Sequence, residues 1–171
     1  DYGHFIISNL LTAFMEDIYK NLKEVKVNKI ELGQPLFGDK YTCGIIMNNN
    51  NLDVKKISGF SVDNEGFQVF KDGWKFISET GGEANLSVNV EGKNIFLLYK
   101  KTIKETAAKL AVKVDDKEEI IIDTFFKDGW GDYSATEVLV EDLLNGRHKI
   151  EIKVLDDNKS IEAYIMGFLV S

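Results

Sequence analysis

The sequence predicts a mainly β protein, an antiparallel β-sandwich preceded by one N-terminal amphipathic helix. Three observations predict it. Near the start, apolar residues recur at intervals of three and four, which is the period of a helix with one buried face. From residue 25 onward, apolar and polar residues alternate in short segments, as in strands with one buried face. Turns rich in Asn, Asp and Gly separate these segments at short intervals, which is typical of antiparallel sandwiches and barrels.

The helical pattern covers residues 5–22. The centre of its apolar stripe consists of Ile7, Leu11, Phe14, Ile18 and Leu22. A stripe of this width is more than a monomeric soluble protein usually leaves exposed. We therefore expect the stripe to be made to pack on another domain. In its absence the stripe would be covered by a fold-back onto the sandwich, by the helix of a second copy in a homodimer, or by exchange of the helix between two chains.

Twelve segments have the pattern of strands, and no helical pattern comes between them, which excludes a parallel α/β domain. They are residues 25–32, 42–47, 57–62, 66–70, 74–79, 86–90, 95–101, 109–115, 119–124, 136–141, 149–154 and 161–170. We place the boundary between helix and sandwich near residue 23, giving a helical segment over 1–23 and a β-sandwich over 24–171.

Composition excludes several classes of function. The 171 residues carry a formal net charge of −7, and a chain this acidic would be repelled by nucleic acid. No apolar run approaches the roughly 18 to 20 residues that a membrane span requires. The single cysteine, Cys43, excludes an internal disulfide.

The pentapeptide Phe-Lys-Asp-Gly-Trp occurs twice, at residues 70–74 and 126–130, and contains both tryptophans of the chain. Asp-Gly is a strong turn signal, so each copy presents an indole just past a tight turn. One hypothesis is that such indoles stack on sugar rings, while Asp72, Asp128 or Asp132 binds hydroxyl groups. The alternative is that each tryptophan seals one end of the sandwich, because large aromatic side chains are usually buried.

The second copy is the better candidate for ligand binding. It lies in an aromatic, loop-like segment, whereas Trp74 is followed by a segment typical of a core strand. The predicted ligand-binding residues are Trp130, Tyr133, Asp128, Asp132 and Phe126.

Other polar residues are predicted to be structural. His148 stands between Arg147 and Lys149 at the start of a strand, and we do not expect it to take part in catalysis or metal binding. Asp115, Asp116 and residues 156–158 offer oxygens to calcium, but adjacent aspartates in hairpin turns are usually turn formers. We predict no cofactor, with calcium as the alternative.

Residues 1–11, Asp-Tyr-Gly-His-Phe-Ile-Ile-Ser-Asn-Leu-Leu, resemble the segment just after the catalytic histidine of SGNH/GDSL-family hydrolases, where an apolar terminal helix begins. The resemblance implies that residues 1–23 end a hydrolase domain whose serine and histidine lie upstream of residue 1. In an alternative register, Asp1 and His4 would match the Asp-x-x-His catalytic pair. His4 runs directly into Phe5-Ile6-Ile7, however, and no Gly-Asp-Ser or Gly-x-Ser-x-Gly segment supplies a nucleophile.

Residues 92–170 resemble the jelly-roll modules attached to some GDSL esterases and carbohydrate-active enzymes. The resemblance rests on residues 111–116 (Ala-Val-Lys-Val-Asp-Asp), on residues 144–152 (Leu-Asn-Gly-Arg-His-Lys-Ile-Glu-Ile) and on the apolar closing strand at 165–170. It implies an extracellular or cell-surface setting, with carbohydrate and a parent hydrolase domain as partners. It also implies a structural role for His148, whose ring would bond a neighbouring backbone group.

These observations together predict a non-catalytic accessory module of an SGNH/GDSL-type serine ester hydrolase, such as a lipase or esterase, that binds or positions carbohydrate. A purely structural sandwich that braces the hydrolase, with no ligand of its own, is the alternative. In a third interpretation the chain is a complete small protein and the N-terminal resemblance is accidental. Coplanar, exposed rings of Trp130 and Tyr133 would favour binding, and burial of both rings would favour bracing.

Overall fold

The computed structural model describes residues 2–22, 33, 38–155 and 160–171. The chain forms two compact units, Asp1–Gly38 and Asp39–Ser171. The first contains helix α1 (Tyr2–Asn21), which confirms the helical pattern and places His4 in the first turn. Considered alone, α1 buries none of its side chains. The strand predicted over 25–32, and with it the boundary near residue 23, lies outside the described residues.

The second unit is an antiparallel β-sandwich, so the predicted fold class is confirmed. Its strands are β1 (Ile45–Met47), β2 (Val54–Ser58), β3 (Ser61–Asp63), β4 (Gly73–Ser78), β5 (Ala84–Gly92), β6 (Ile95–Lys101), β7 (Lys109–Val114), β8 (Ile120–Asp123), β9 (Tyr133–Val140), β10 (Gly146–Leu155) and β11 (Ile161–Val170). One sheet has the order β3-β4-β11-β6-β9, with β1 paired to β11, and the other has the order β2-β5-β10-β7-β8.

The core lies between the two sheets, as the alternation of the strands requires. In the five-stranded sheet, Ile150 of β10 is paired with Val88 on one side and Val114 on the other, and all three are buried. In the six-stranded sheet, Ile165 of β11 is paired with Trp74 and Tyr99, which are also buried. The inward positions of both sheets therefore match the apolar positions of the sequence pattern.

The prediction of one continuous strand over 57–62 is wrong, because β2 and β3 are separate strands in different sheets. Gly59 lies at the break with a φ of 76°. A Cβ there would lie 2.8 Å from the Cβ of Ala84, so the chain can leave the sheet here only through glycine.

The predicted strand at 66–70 is also wrong. This segment forms a turn closed by backbone hydrogen bonds between Phe67 and Phe70, 2.8 and 3.1 Å long. Gln68 has a φ of 55°, a left-handed conformation that a strand does not allow. The Ser134 hydroxyl donates to the Gln68 side-chain oxygen at 2.8 Å, which fixes the turn to β9.

Strand β6 runs between the two ends of the sandwich. At one end it is preceded by Asn94, and at the other it is followed by Thr102, which contacts the loop between β8 and β9. Six residue steps of about 3.4 Å place these ends roughly 20 Å apart. The two ends carry different polar groups.

In the described parts of the chain, no helix combines the length and the apolar character that crossing a membrane would require.

Candidate functional site

The two copies of the repeated pentapeptide have opposite environments. Trp74, in β4, retains 1% of its accessible surface and belongs to the core, as predicted. Trp130, in the loop between β8 and β9, is fully exposed at 105%. The same five residues therefore produce a core side chain in one place and a freely accessible indole in the other.

The two glycines of the repeat explain this difference. Gly73 opens β4 so close to β11 that a Cβ there would collide with the carbonyl oxygen of Ile165. Trp74 is then the second residue of a central strand and points inward. In the other copy, Asp128 has a φ of 67° and a Cβ on Gly129 would collide with the ring of Phe126. This copy turns back on its own phenylalanine and directs the next side chain outward.

The loop that carries Trp130 rests on a firm base. The backbone N–H of Phe126 donates to the Thr102 carbonyl at 2.9 Å, and the Thr102 N–H donates to the Thr124 carbonyl at 2.9 Å. The rings of Phe126 and Tyr133 meet edge to face, with centroids 5.2 Å apart and an interplanar angle of 78°. Tyr133 is half-buried and Phe126 is 39% exposed, so these two rings support the loop from below.

Asp132 anchors the far side of the loop. Its Oδ1 accepts a hydrogen bond from the Thr102 hydroxyl at 2.6 Å, and its Oδ2 lies 3.3 Å from Lys100 Nζ. Burial raises the pKa of this carboxyl, but the Thr102 hydrogen bond and the charges of Lys100 and Lys104 outweigh burial and hold the pKa below its usual value. Asp132 is therefore ionised at neutral pH and fixes the loop end. Its predicted contact with a ligand stays a prediction.

Lys100 is a buried cation that the sequence analysis did not single out. Its side chain is 7% exposed, and its Nζ lies 3.8 Å from Glu162 and 3.6 Å from the centroid of the Tyr164 ring. A charge this deep is stable only when it is well paired, which Asp132, Glu162 and the aromatic ring provide. Lys100 belongs to the outer face of its sheet, and the turn at 64–72 reaches that face, with the Phe67 ring centroid 5.9 Å from Nζ. Alternation alone would have predicted an exposed lysine.

The remaining predicted ligand residue, Asp128, is exposed in the left-handed turn immediately before Gly129. The structure thus brings Trp130 and Asp128 to the surface of one loop, and places Phe126, Tyr133 and Asp132 at its base. Their roles as ligand contacts remain predictions.

His148 has the structural role that was predicted. Its Nε2 lies 3.0 Å from the carbonyl oxygen of Leu144, and its Nδ1 lies 2.7 Å from Asp115 Oδ2. The Lys149 N–H donates to the other Asp115 oxygen at 2.8 Å. Burial lowers the pKa of His148, but the bonds to Asp115 and Leu144 outweigh it and raise the pKa above its usual value. The pair joins the turn after β7 to β10.

Among the residues that the structure describes, no three or more His, Cys, Asp and Glu side chains converge as a metal site would require. The Asp115 carboxylate is bonded to His148 and to the Lys149 backbone. Residues 156–158, the other predicted source of calcium ligands, lie outside the described residues.

No protein-family model and no curated protein matches this sequence. Solved structures do match it in fold. A two-domain esterase (CEX) active on acetylated mannans is 24% identical with a TM-score of 0.84, and the match covers 100% of this chain and 47% of that one. The same esterase co-crystallised with mannopentaose gives 23% identity, a TM-score of 0.81 and coverage of 100% and 46%.

More distant matches include CBM35 from Cellvibrio japonicus Abf62, which is 12% identical with a TM-score of 0.49 over 75% of this chain and 93% of that one. A similarity at this TM-score does not establish a relationship with the present chain. The present chain spans about half the length of the two-domain esterase that it matches. The similarity to that esterase shows a shared fold.

Proposed function

We propose that this chain is a non-catalytic carbohydrate-binding module of an acyl-ester hydrolase of the SGNH/GDSL type, and that the Trp130 loop is its binding surface. The observation that carries the proposal is the full exposure of Trp130 on a loop whose base is held by Thr102, Phe126 and Asp132.

The full exposure of this indole requires a functional explanation. Burying a large aromatic side chain stabilises a protein by roughly 2–3 kcal/mol, and the sandwich does so with Trp74 but not with Trp130. The face of an aromatic ring is electron-rich and attracts groups with partial positive charge. The axial C–H groups of a pyranose ring are such groups, so a fully exposed indole is a platform for a sugar.

The polar groups beside the indole suit the same ligand. The exposed Asp128 carboxylate accepts hydrogen bonds, as sugar hydroxyls require. Asp132 has an ionised carboxylate whose two oxygens are fixed by Thr102 and Lys100. It holds the loop in place, so the indole is oriented before the ligand arrives, which lowers the entropic cost of binding.

Two observations support the link to a hydrolase. Residues 1–11 resemble the start of the terminal helix in SGNH/GDSL enzymes, and the whole chain matches about half of a two-domain esterase in fold. In such a protein the apolar stripe of α1 would be covered by the hydrolase domain. Extracellular or cell-surface polysaccharide would then be the setting in which the module acts.

For the isolated chain we propose that the stripe mediates a homodimer. The test is sedimentation of this chain beside a version that begins at Lys23. A dimer that becomes a monomer on removal of α1 supports the proposal, and a monomer in both cases contradicts it.

Binding itself is tested by affinity electrophoresis or pull-down on insoluble acetylated mannan, xylan and cellulose. We expect Trp130→Ala to abolish retention and Trp130→Phe, which keeps a ring, to retain part of it. Val138→Ala is the matched control, because Val138 is 48% exposed on β9 and outside the loop. Retention that is unchanged in Trp130→Ala would contradict the proposal and favour the purely structural brace.

A further inference from the structure

The end of the sandwich opposite Trp130 contains an open cavity of about 500 Å³. Its wall includes Asp39, Lys40, Lys93, Asn94, Asp142 and Asn145. Its size is within the range of small-molecule sites, which is roughly 300 to 1,000 Å³. None of the residues predicted to bind a ligand lies in this cavity.

Asn94 builds the floor of this cavity. It is 2% exposed, and its Nδ2 donates to the carbonyl of Lys40 and to Ser171 Oγ, both at 3.1 Å. Its Oδ1 accepts the N–H of Asp142 at 3.0 Å. One buried amide thus joins the chain before β1, the end of β11 and the loop after β9. The cavity is a preformed part of the fold.

Lys40 forms one side of the cavity and is neutralised there. Its Nζ lies 2.7 Å from Asp142 Oδ2 and 3.3 Å from Glu141 Oε1. The Tyr41 hydroxyl is hydrogen-bonded to the same Glu141 oxygen. Asp39 and Lys93 add one charge of each sign, so the two lysines and two aspartates that line the cavity carry no net charge. Glu141, which is not part of the lining, adds one negative charge beside Lys40.

An aromatic ring stands beside the polar wall. Tyr41 is 56% exposed and meets Phe96 edge to face at 5.9 Å. An apolar depression of about 240 Å³, lined by Tyr41, Phe96 and Leu169, adjoins the cavity through Ser171, which lines both. Asn145, which is exposed at the rim, presents both donors and acceptors.

We propose that this cavity is a second binding site for a neutral polyhydroxylated ligand, a sugar unit of the polysaccharide that the Trp130 loop binds. Hydroxyl groups both donate and accept hydrogen bonds, which suits the exposed Asn145 amide and the paired charges of the lining, and the C–H face of a sugar fits the Tyr41 ring. The proposal rests on the proposed function. Because the two sites lie roughly 20 Å apart at opposite ends of β6, one module would hold two segments of polymer and gain avidity.

The test is titration of ¹⁵N-labelled chain with mannopentaose, followed by chemical-shift changes of the backbone amides. We expect two groups of shifts, one over residues 126–133 and one over residues 93–94 and 141–145. Trp130→Ala should remove the first group only. Asn145→Ala and Tyr41→Ala should each weaken the affinity measured from the second group of shifts at least several-fold, and should leave the affinity measured from the first group unchanged.

Two further variants keep the test sharp. Tyr41→Phe keeps the ring but loses the hydrogen bond to Glu141. If Tyr41→Ala disturbs the fold, this variant still tests the contact of the ring with the sugar separately from the polar network. Leu144→Ala is the matched control, because Leu144 is 88% exposed beside Asn145 and does not line the cavity. It should leave both groups of shifts unchanged.

Shifts confined to residues 126–133 would overturn the second site and leave the proposed function in place. Shifts in the cavity that Asn145→Ala and Tyr41→Ala do not weaken would also overturn it. If neither group of residues responds to mannopentaose, xylopentaose or cellopentaose, the proposed function fails, and the second site fails with it.

Discussion

Replacing each tryptophan of the repeat by alanine is a matched pair of perturbations, because the same four residues, Phe-Lys-Asp-Gly, precede both tryptophans. Trp74 is 1% exposed in a central strand, paired with Ile165 and facing the core. Removing a buried ring of this size costs about 3–5 kcal/mol, from lost burial and from the cavity left behind. That is a large fraction of the roughly 5–15 kcal/mol that keeps a domain folded.

Trp130→Ala should have almost no effect on stability. At 105% exposure the indole has no burial to lose, so the change should stay within about 0.5 kcal/mol. For a sandwich of this size, each kcal/mol shifts the melting temperature by roughly 3–5 °C. We therefore expect Trp74→Ala to melt at least about 10 °C below the parent chain and Trp130→Ala to melt within about 3 °C of it.

The assay is urea unfolding followed by the circular dichroism of the strands, which gives the free energy of unfolding and the slope m for each variant. An unchanged m shows that the same surface is exposed on unfolding, so the free energies can be compared. Equal destabilisation by the two substitutions would refute the assignment of one indole to the core and the other to the surface.

Three further predictions concern other parts of the chain. Asn94→Ala should destabilise the sandwich by about 1–3 kcal/mol in urea unfolding, because it removes the three hydrogen bonds of a buried amide, including the one that accepts the Asp142 N–H; an unaltered midpoint would contradict this. His148→Leu should lower the melting temperature most near pH 5 and least near pH 8. The raised pKa of His148 gives stability that is complete below about pH 6.5 and is lost as the pH rises. Burial raises the pKa of Asp115, but its bonds to His148 and to the Lys149 N–H outweigh burial and hold the pKa below 3.8. The stability that this gives is lost as the pH falls through the lowered value. A difference in melting temperature that is independent of pH would contradict the prediction. The chain alone should not hydrolyse nitrophenyl acetate, and turnover that disappears in His4→Ala would instead favour a catalytic role for His4.

The alternation of apolar and polar residues was enough to predict most of the strands. Segment 149–154 has one buried face, formed by Ile150, Ile152 and Val154, and the period of a strand puts every second residue on it. The prediction failed where tertiary contacts decide the outcome. At 57–62 the chain passes between sheets at Gly59, which packs against Ala84, and no local pattern records that contact.

The candidate surface could be predicted from the sequence only in part. The turn chemistry of Asp-Gly placed both indoles, and the apolar strand after Trp74 separated the buried one from the exposed one. The burial of Lys100 could not be predicted, because it depends on the turn at 64–72 and on Asp132 from the loop between β8 and β9. The opposite cavity could not be predicted for the same reason, since Asn94 bonds a residue 77 positions away along the chain.

The central claim is that Trp130 is the sugar platform, and the two indole N–H signals of the chain test it most directly. With only two tryptophans, the spectrum of ¹⁵N-labelled chain has two such signals, and Trp130→Phe identifies which one belongs to the loop. On titration with mannopentaose, we predict that the Trp130 signal shifts in a saturable way while the Trp74 signal stays in place. Retention of the chain on mannan with a Trp130 signal that does not move would contradict the account.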